Sequence, residues 1–222
     1  MNFALSLVAA SIVISPQTPT STTTGTAAAA NVLERIYKVG DEATYQVLMG
    51  DSAGPMHVGA KVHVKTLALL DGGKASQELS SSDFTGGPEG SSGPEKVSWT
   101  FGKDGMAAAD FTVNSGTVVY SILSMLSFVP GSITSGKEFK VEWASPDKMS
   151  TITGTGTYEG TKELKGAKVA VVKTTLEVTP GSQGQAVVHN TSSFDPATGK
   201  LVAAEGTVEV GSMTITISVT SV

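Results

Sequence analysis

Cysteine is missing from this chain of 222 residues, which excludes disulfides, thiolate metal sites and a cysteine nucleophile. The same absence leaves nothing to acylate at a mature N-terminus, so the protein is not expected to be a lipoprotein of the bacterial kind. Charged residues are sparse at 16%, where roughly 25% is ordinary for a globular protein. No basic stretch occurs, and a net charge of -5 with a pI near 5.2 argues against a nucleic-acid partner, because phosphate binding needs clustered Lys and Arg that release counterions. Also lacking is an apolar run of the roughly 20 residues that a helix needs to cross a bilayer, so a transmembrane protein is not expected.

The longest apolar run, Phe3 to Ile14 ("FALSLVAASIVI"), has the length of a signal-peptide h-region. Residues 1–15 are read as a signal peptide, although no Lys or Arg precedes the run and only Ser11 or Val13 with Ser15 offers a cleavage site. An N-terminal strand or an apolar tail is the alternative. Residues 16–31 form a Thr/Ala-rich linker: with six threonines, two prolines and no charge, "SPQTPTSTTTGTAAAA" buries too little apolar surface to offset the entropy of ordering it. A β domain is expected over 32–222. It opens at "NVLERIYKVG", where Leu33 and Ile36 are spaced for one helical turn before Gly40 stops it.

Glycine, by contrast, is abundant at 25 copies, and with Ser and Thr it gives the composition of turns and solvated strand faces. Alternation with a period of two dominates. Met56, Val58, Ala60, Val62 and Val64 share one face; so do Ala170, Val172, Leu176 and Val178, and again Met213, Ile215, Ile217 and Val219. One face buried and one wet is the pattern of an antiparallel sheet. Turn chemistry at "DGGK" (71–74), "GKDG" (102–105), "TPGSQG" (179–184) and "DPATGK" (195–200) marks the hairpins. The stretch "GTVVYSILSMLSFVPG" reads as the one helix, apolar around most of its circumference and therefore placed against the concave face of a curved sheet, although Val-Val-Tyr also suits a strand.

Two stretches repeat. "YKVGDEATYQV" (37–47) and "ITSGKEFKVEW" (133–143) align at Gly40 and Gly136, while "WTFGKDGMAAADFTV" (99–113) and "SSFDPATGKLVAAEGTVEV" (192–210) align at Phe101 and Phe194. The fold expected is mainly β: an antiparallel curved sheet or half-barrel built from two similar halves, about 36–128 and 132–222, with one connecting helix near 117–128.

Candidates for chemistry are few. His57 and His63 lie six apart on the wet face of one strand, roughly 20 Å, and His189 is isolated, so no metal site is expected. Asp110 and Glu205 occupy equivalent places, but strand parity turns both outward, away from acid/base work. Asp195 is read as the cap of its own turn. No G-x-S-x-G, phosphate-cradling glycine loop, H-E-x-x-H or calcium loop is present, and "NTS" at Asn190 is too common a triplet to decide glycosylation. The inward aromatics stand out: Tyr45, Trp99, Phe101, Phe139, Trp143, Tyr158 and Phe194, joined by Met125 of the helix. They read as a hydrophobic core or as the lining of an apolar cavity, which the glycines of "TGTGTYEG" would help to open unless they mark sheet curvature.

At "FVPGSITSGKEFKVEW", "GTGTYEG", "LKGAKVAVV" and "FDPATGKLV", within 128–205, the chain resembles a poorly characterised class of exported bacterial β-rich domains. Those domains are similar in outline to the half-barrels that carry lipids or lipoproteins across bacterial envelopes. The resemblance carries over no catalytic residue. The resulting expectation is a non-enzymatic envelope protein without cofactors, periplasmic or extracellular, that binds or carries an apolar small molecule or lipid. The alternative is a structural or interaction module with no ligand, and a hydrolase would need Asp110 or Glu205 buried.

Overall fold

The computed structural model describes residues 32–51, 57–86, 96–107, 118–129, 133–145, 150–179 and 185–222. The expected signal peptide, the linker, Met56 and Asp110 lie outside them. Where apolar residues alternate, strands form: β1 (Val32–Leu33), β2 (Glu42–Asp51), β3 (His57–Leu70), β4 (Lys74–Thr85), β5 (Val97–Phe101), β6 (Ile133–Thr134), β7 (Glu138–Ala144), β8 (Thr151–Leu164), β9 (Ala167–Thr179), β10 (Ala186–Phe194), β11 (Leu201–Val210) and β12 (Met213–Ser221). One α-helix, α1 (Val118–Leu126), separates β5 from β6.

Ten of the strands make one antiparallel sheet in the order β5-β4-β3-β2-β12-β11-β10-β9-β8-β7, curved but not closed into a barrel. Sequential hairpins explain every neighbour except one. β2 and β12, at the two ends of the sheet-forming chain, pair in the middle, with Val47 opposite Val219. The meander would close if β5 met β7. Instead that seam stays open, and the segment joining these two edge strands carries α1. β1 and β6 pair separately, Leu33 opposite Ile133. The β7 edge presents the exposed charges Glu138, Lys140 and Glu142, which discourage pairing with another chain.

Side-chain parity sends Tyr45 and Val47, Ala60 and Val62, Leu79, Tyr158, Val172, Phe194, Ile217 and Val219 to the same inner face, where all are buried. α1 lies on that face. Val119, Tyr120, Ile122, Leu123 and Leu126 are buried against it, and only Met125 is partly exposed among the helix side chains described. A helix so apolar needs cover on several sides, and the trough of a curved sheet supplies it.

The two halves correspond as far as the hairpins that follow β5 and β10. Gly40 and Gly136 both take the left-handed conformation, at φ 82° and 75°. The turn before β2 closes with Asp41 N to Lys38 O at 3.1 Å, that before β7 with Lys137 N to Thr134 O at 3.2 Å. Each glycine then bonds the neighbouring strand, Gly40 N to Thr66 O at 2.9 Å and Gly136 N to Tyr158 O at 2.7 Å. β3, β4 and β5 match β8, β9 and β10, and Phe101 pairs with Ala107 as Phe194 pairs with Leu201. After that the halves diverge: the second continues into strands, whereas the place of β12 is taken in the first by α1.

The helical turn expected at Leu33–Ile36 does not form. Leu33 is buried in the β1–β6 pair and Ile36 is 44% exposed, its N–H bonded to Thr198 O at 2.9 Å, because a long-range partner outbids one turn of local helix. The glycines of β8 also have a specific role. A Cβ on Gly156 would run into the ring of Phe139, so this glycine seats an aromatic instead of leaving a void.

Gly199 and Gly40 provide a paired test of the backbone. Both have positive φ, but Gly40 faces open space whereas a Cβ on Gly199 would strike the Glu34 carbonyl. Gly40→Ala should cost roughly 1–2 kcal/mol for the left-handed conformation alone, and Gly199→Ala roughly 3 kcal/mol or more, because the strand-like segment at 34–35 must also move. Urea unfolding of the two variants measures the difference.

Candidate functional site

The inner face collects all eight candidate residues on one side of the sheet. Tyr45, Phe101, Tyr158 and Phe194 are buried, while Trp99, Met125, Phe139 and Trp143 are half-buried. They fall into two groups. One apolar cluster gathers Tyr45, Phe101, Tyr158 and Phe194 around α1, and Trp99 packs against it, edge-to-face on Tyr120 with ring centroids 6.0 Å apart. The other joins Phe128, Val141, Ile152, Leu176, Val178 and Val188, with Trp143 alongside and Phe139 and Met125 touching both.

A polar row runs between the clusters. Thr174 Oγ1 donates to Asn190 Oδ1, Asn190 Nδ2 donates to Ser192 Oγ at 2.9 Å, and Ser192 Oγ donates to the Leu126 carbonyl at 2.8 Å. The relay ties the last turn of α1, whose carbonyls have no partner within the helix, to β9 and β10. A second tie holds the same helix, Ala107 N donating to Ser124 Oγ at 2.8 Å. A third follows it, Val129 N to Asp104 O at 2.7 Å. Asn190 is only 7% exposed and has its amide engaged, so the "NTS" triplet is part of the interior.

At the rim of the trough lies Arg35. Its Nη1 donates to Gly199 O at 2.8 Å and the guanidinium stands 5.3 Å over the ring of Tyr37. Burial pushes the Tyr37 phenol up to about 12 and raises Tyr45 as well, in both cases against the opposing pull of the Arg35 charge. Tyr37 Oη donates to Gly102 O at 2.8 Å. Two small, partly open spaces of about 20 Å³ flank Arg35, each room for about one water. Thus α1 fills the concavity. Sequence reasoning passed over Arg35, although it is the single arginine of the chain.

The outer face is different in kind. Its hollows, about 540 and 590 Å³, are shallow and lined by residues such as Thr155, Thr175, His189, Glu205 and Thr216. Glu205 is exposed there between Thr191 and Ser218 on the flanking strands, a solvated position that gives no shelter for acid/base chemistry. His57, His63 and His189 are exposed and apart; His63 bonds Thr44 and Ser82, and His189 bonds Thr175. Among the described residues no group of three or more His, Asp or Glu is placed to hold a metal ion, and no helix is long and apolar enough to cross a membrane. Asp195 caps its turn, its carboxylate accepting from Ala197 N at 2.8 Å and Thr198 Oγ1 at 2.9 Å.

Ser192→Ala should lower stability by about 1–3 kcal/mol, because the Leu126 carbonyl and the Asn190 amide both lose a partner in a dry interior. Hydrogen exchange should localise the loss to α1. Alkaline pH tests the rim. Tyr37 ionises near 10 in the unfolded chain and near 12 in the folded one, so its stabilising contribution is intact below about 10 and disappears as pH rises toward about 12. Tyr37→Phe should flatten that decline in a pH series of urea midpoints.

No family model matches the chain, and no curated protein matches it. Among solved structures it is similar to the hypothetical lipoprotein YmcC from Escherichia coli, with 16% identity and a TM-score of 0.35 over 85% of this chain and 89% of that one. It is also similar to a DUF1329 family protein from Desulfovibrio piger, with 8% identity and a TM-score of 0.28 over 82% of this chain and 84% of the other.

Proposed function

We propose that the protein is an exported, non-enzymatic carrier of an apolar ligand, such as the acyl chain of a lipid, and that the ligand takes the place of α1 on the inner face of the sheet. The observation that carries this reading is the position of the helix: α1 lies in the trough of an open sheet, where the matching part of the other half is the strand β12. Most of what holds α1 is apolar burial, which is non-directional and indifferent to whether a side chain or an acyl chain provides the cover. Among the described residues the directional ties include those at Tyr120, Ser124, Leu126 and Val129. Among the described residues the Ser121 hydroxyl is buried with no hydrogen-bond partner, so the docked helix also carries an unmet polar group.

With only about 20 Å³ free on either side of Arg35, a ligand has no room until the helix moves. Uptake is therefore gated. The apolar run at residues 3–14 supports an envelope location. The packed interior equally favours a second reading, a rigid structural or interaction module of the envelope with no ligand.

Solvent extraction of the purified protein followed by lipid mass spectrometry separates the two. About one acyl species per chain supports the carrier; a lipid-free protein that takes up no acyl probe overturns it. Because native cysteine is absent, Ala107→Cys with Ser124→Cys, at positions already joined by a hydrogen bond, gives a clean lock on α1. Acyl-probe uptake should stop in the oxidised variant and return on reduction, and undiminished uptake by the locked protein would rule out displacement of α1.

A further inference from the structure

We infer that Arg35 receives an anionic headgroup, so that the ligand that displaces α1 is an amphiphile ending in a carboxylate or phosphate. This rests on the carrier reading above. A guanidinium has five N–H donors and is always charged, and a buried charge is ordinarily paired. Here the guanidinium meets only neutral groups, the Gly199 carbonyl through Nη1 and the Tyr37 and Tyr45 hydroxyls, and Nε is buried with no hydrogen-bond partner among the described residues.

Nor does a described carboxylate come within ion-pair distance of Arg35. Asp41 and Glu42 line the same small space but are drawn away, Asp41 to Lys200 and Glu42 to Lys65, at 2.7 Å in each case. The half-buried charge therefore has one unmet donor and no counter-ion among the described residues. Its planar fork matches a carboxylate or phosphate in a two-point contact that a lysine ammonium cannot make.

Position decides what kind of anion belongs there. Arg35, Tyr45, Val64 and Gln77 line both small spaces. One opens past Tyr37 toward Lys200, and the other runs beneath α1 to Phe101 and Leu123. A headgroup held at Arg35 thus directs an attached chain along the line of the second space, into the aromatic cluster that α1 uncovers as it moves.

The test compares dodecanoate with 1-dodecanol, equal in chain and different in charge, by displacement of a fluorescent apolar probe from the full chain below the micellar concentration. Wild type should bind dodecanoate about tenfold or more tightly than dodecanol, the scale of a charge-assisted contact. Arg35→Met should lose that preference and keep dodecanol binding. Should Arg35→Met lose dodecanol as well, Arg35→Lys decides: it must bind both and prefer dodecanoate less than wild type does, and an unchanged preference overturns the inference. Equal wild-type affinity for the two probes overturns the headgroup site and leaves the carrier standing. Failure to bind either overturns both. Competition by acetate alone as strong as by dodecanoate would make Arg35 a free-anion site and likewise overturn the amphiphile.

Discussion

An antiparallel sheet with one apolar face must have that face covered, and in this protein the open seam between β5 and β7 determines what covers it. Pairing of β2 with β12 commits the ends of the sheet-forming chain to its middle and leaves two edge strands that do not meet. A closed barrel of this size would bury its inner residues by wrapping the sheet around itself. With the seam open, the segment that bridges it folds inward, and α1 supplies the apolar surface that closure would have supplied. The small rim spaces and the half-buried Trp99, Phe139 and Trp143 follow from that substitution.

Apolar packing alone would leave the position of α1 poorly specified, because aliphatic surfaces slide over one another at little energetic difference. The Thr174–Asn190–Ser192 relay removes that freedom. It reaches the carbonyl of Leu126 across the boundary between the two apolar clusters, and a satisfied buried network permits few alternative registers. The helix is therefore held in one place by hydrogen bonds at Tyr120, Ser124 and Leu126 and by bulk burial along its length.

The faces of the sheet divide the molecule's physics. Ion pairs such as Lys61–Asp83 and Lys65–Glu42 lie on the wet side and are exposed, where they contribute little to the fold. On the inner side, Thr174, Asn190 and Ser192 bond one another and α1. At the boundary stands Arg35, on a segment held by backbone contacts to the turn at 195–200, with a charge that neither side of the sheet neutralises.

Strand parity was legible in the sequence because it is a local property: a period of two in apolar side chains put Tyr45, Trp99, Phe101, Phe139, Trp143, Tyr158 and Phe194 on the inner face before any contact was known. The repeated turns at Gly40 and Gly136 were legible for the same reason, since left-handed backbone favours glycine wherever it recurs. What tertiary structure alone decided is how one motif takes two forms. "VVYSILSML", read from its sequence as the one helix, lies where the repeat places the strand β12, and the trough of the open sheet is what it fills. Leu33 went the other way, giving up a helical turn for Ile133, and Arg35 acquired its meaning only when residues 164 positions away came beside it. Local sequence sets which face a side chain takes; the long-range pairing of β2 with β12 sets what that face must meet.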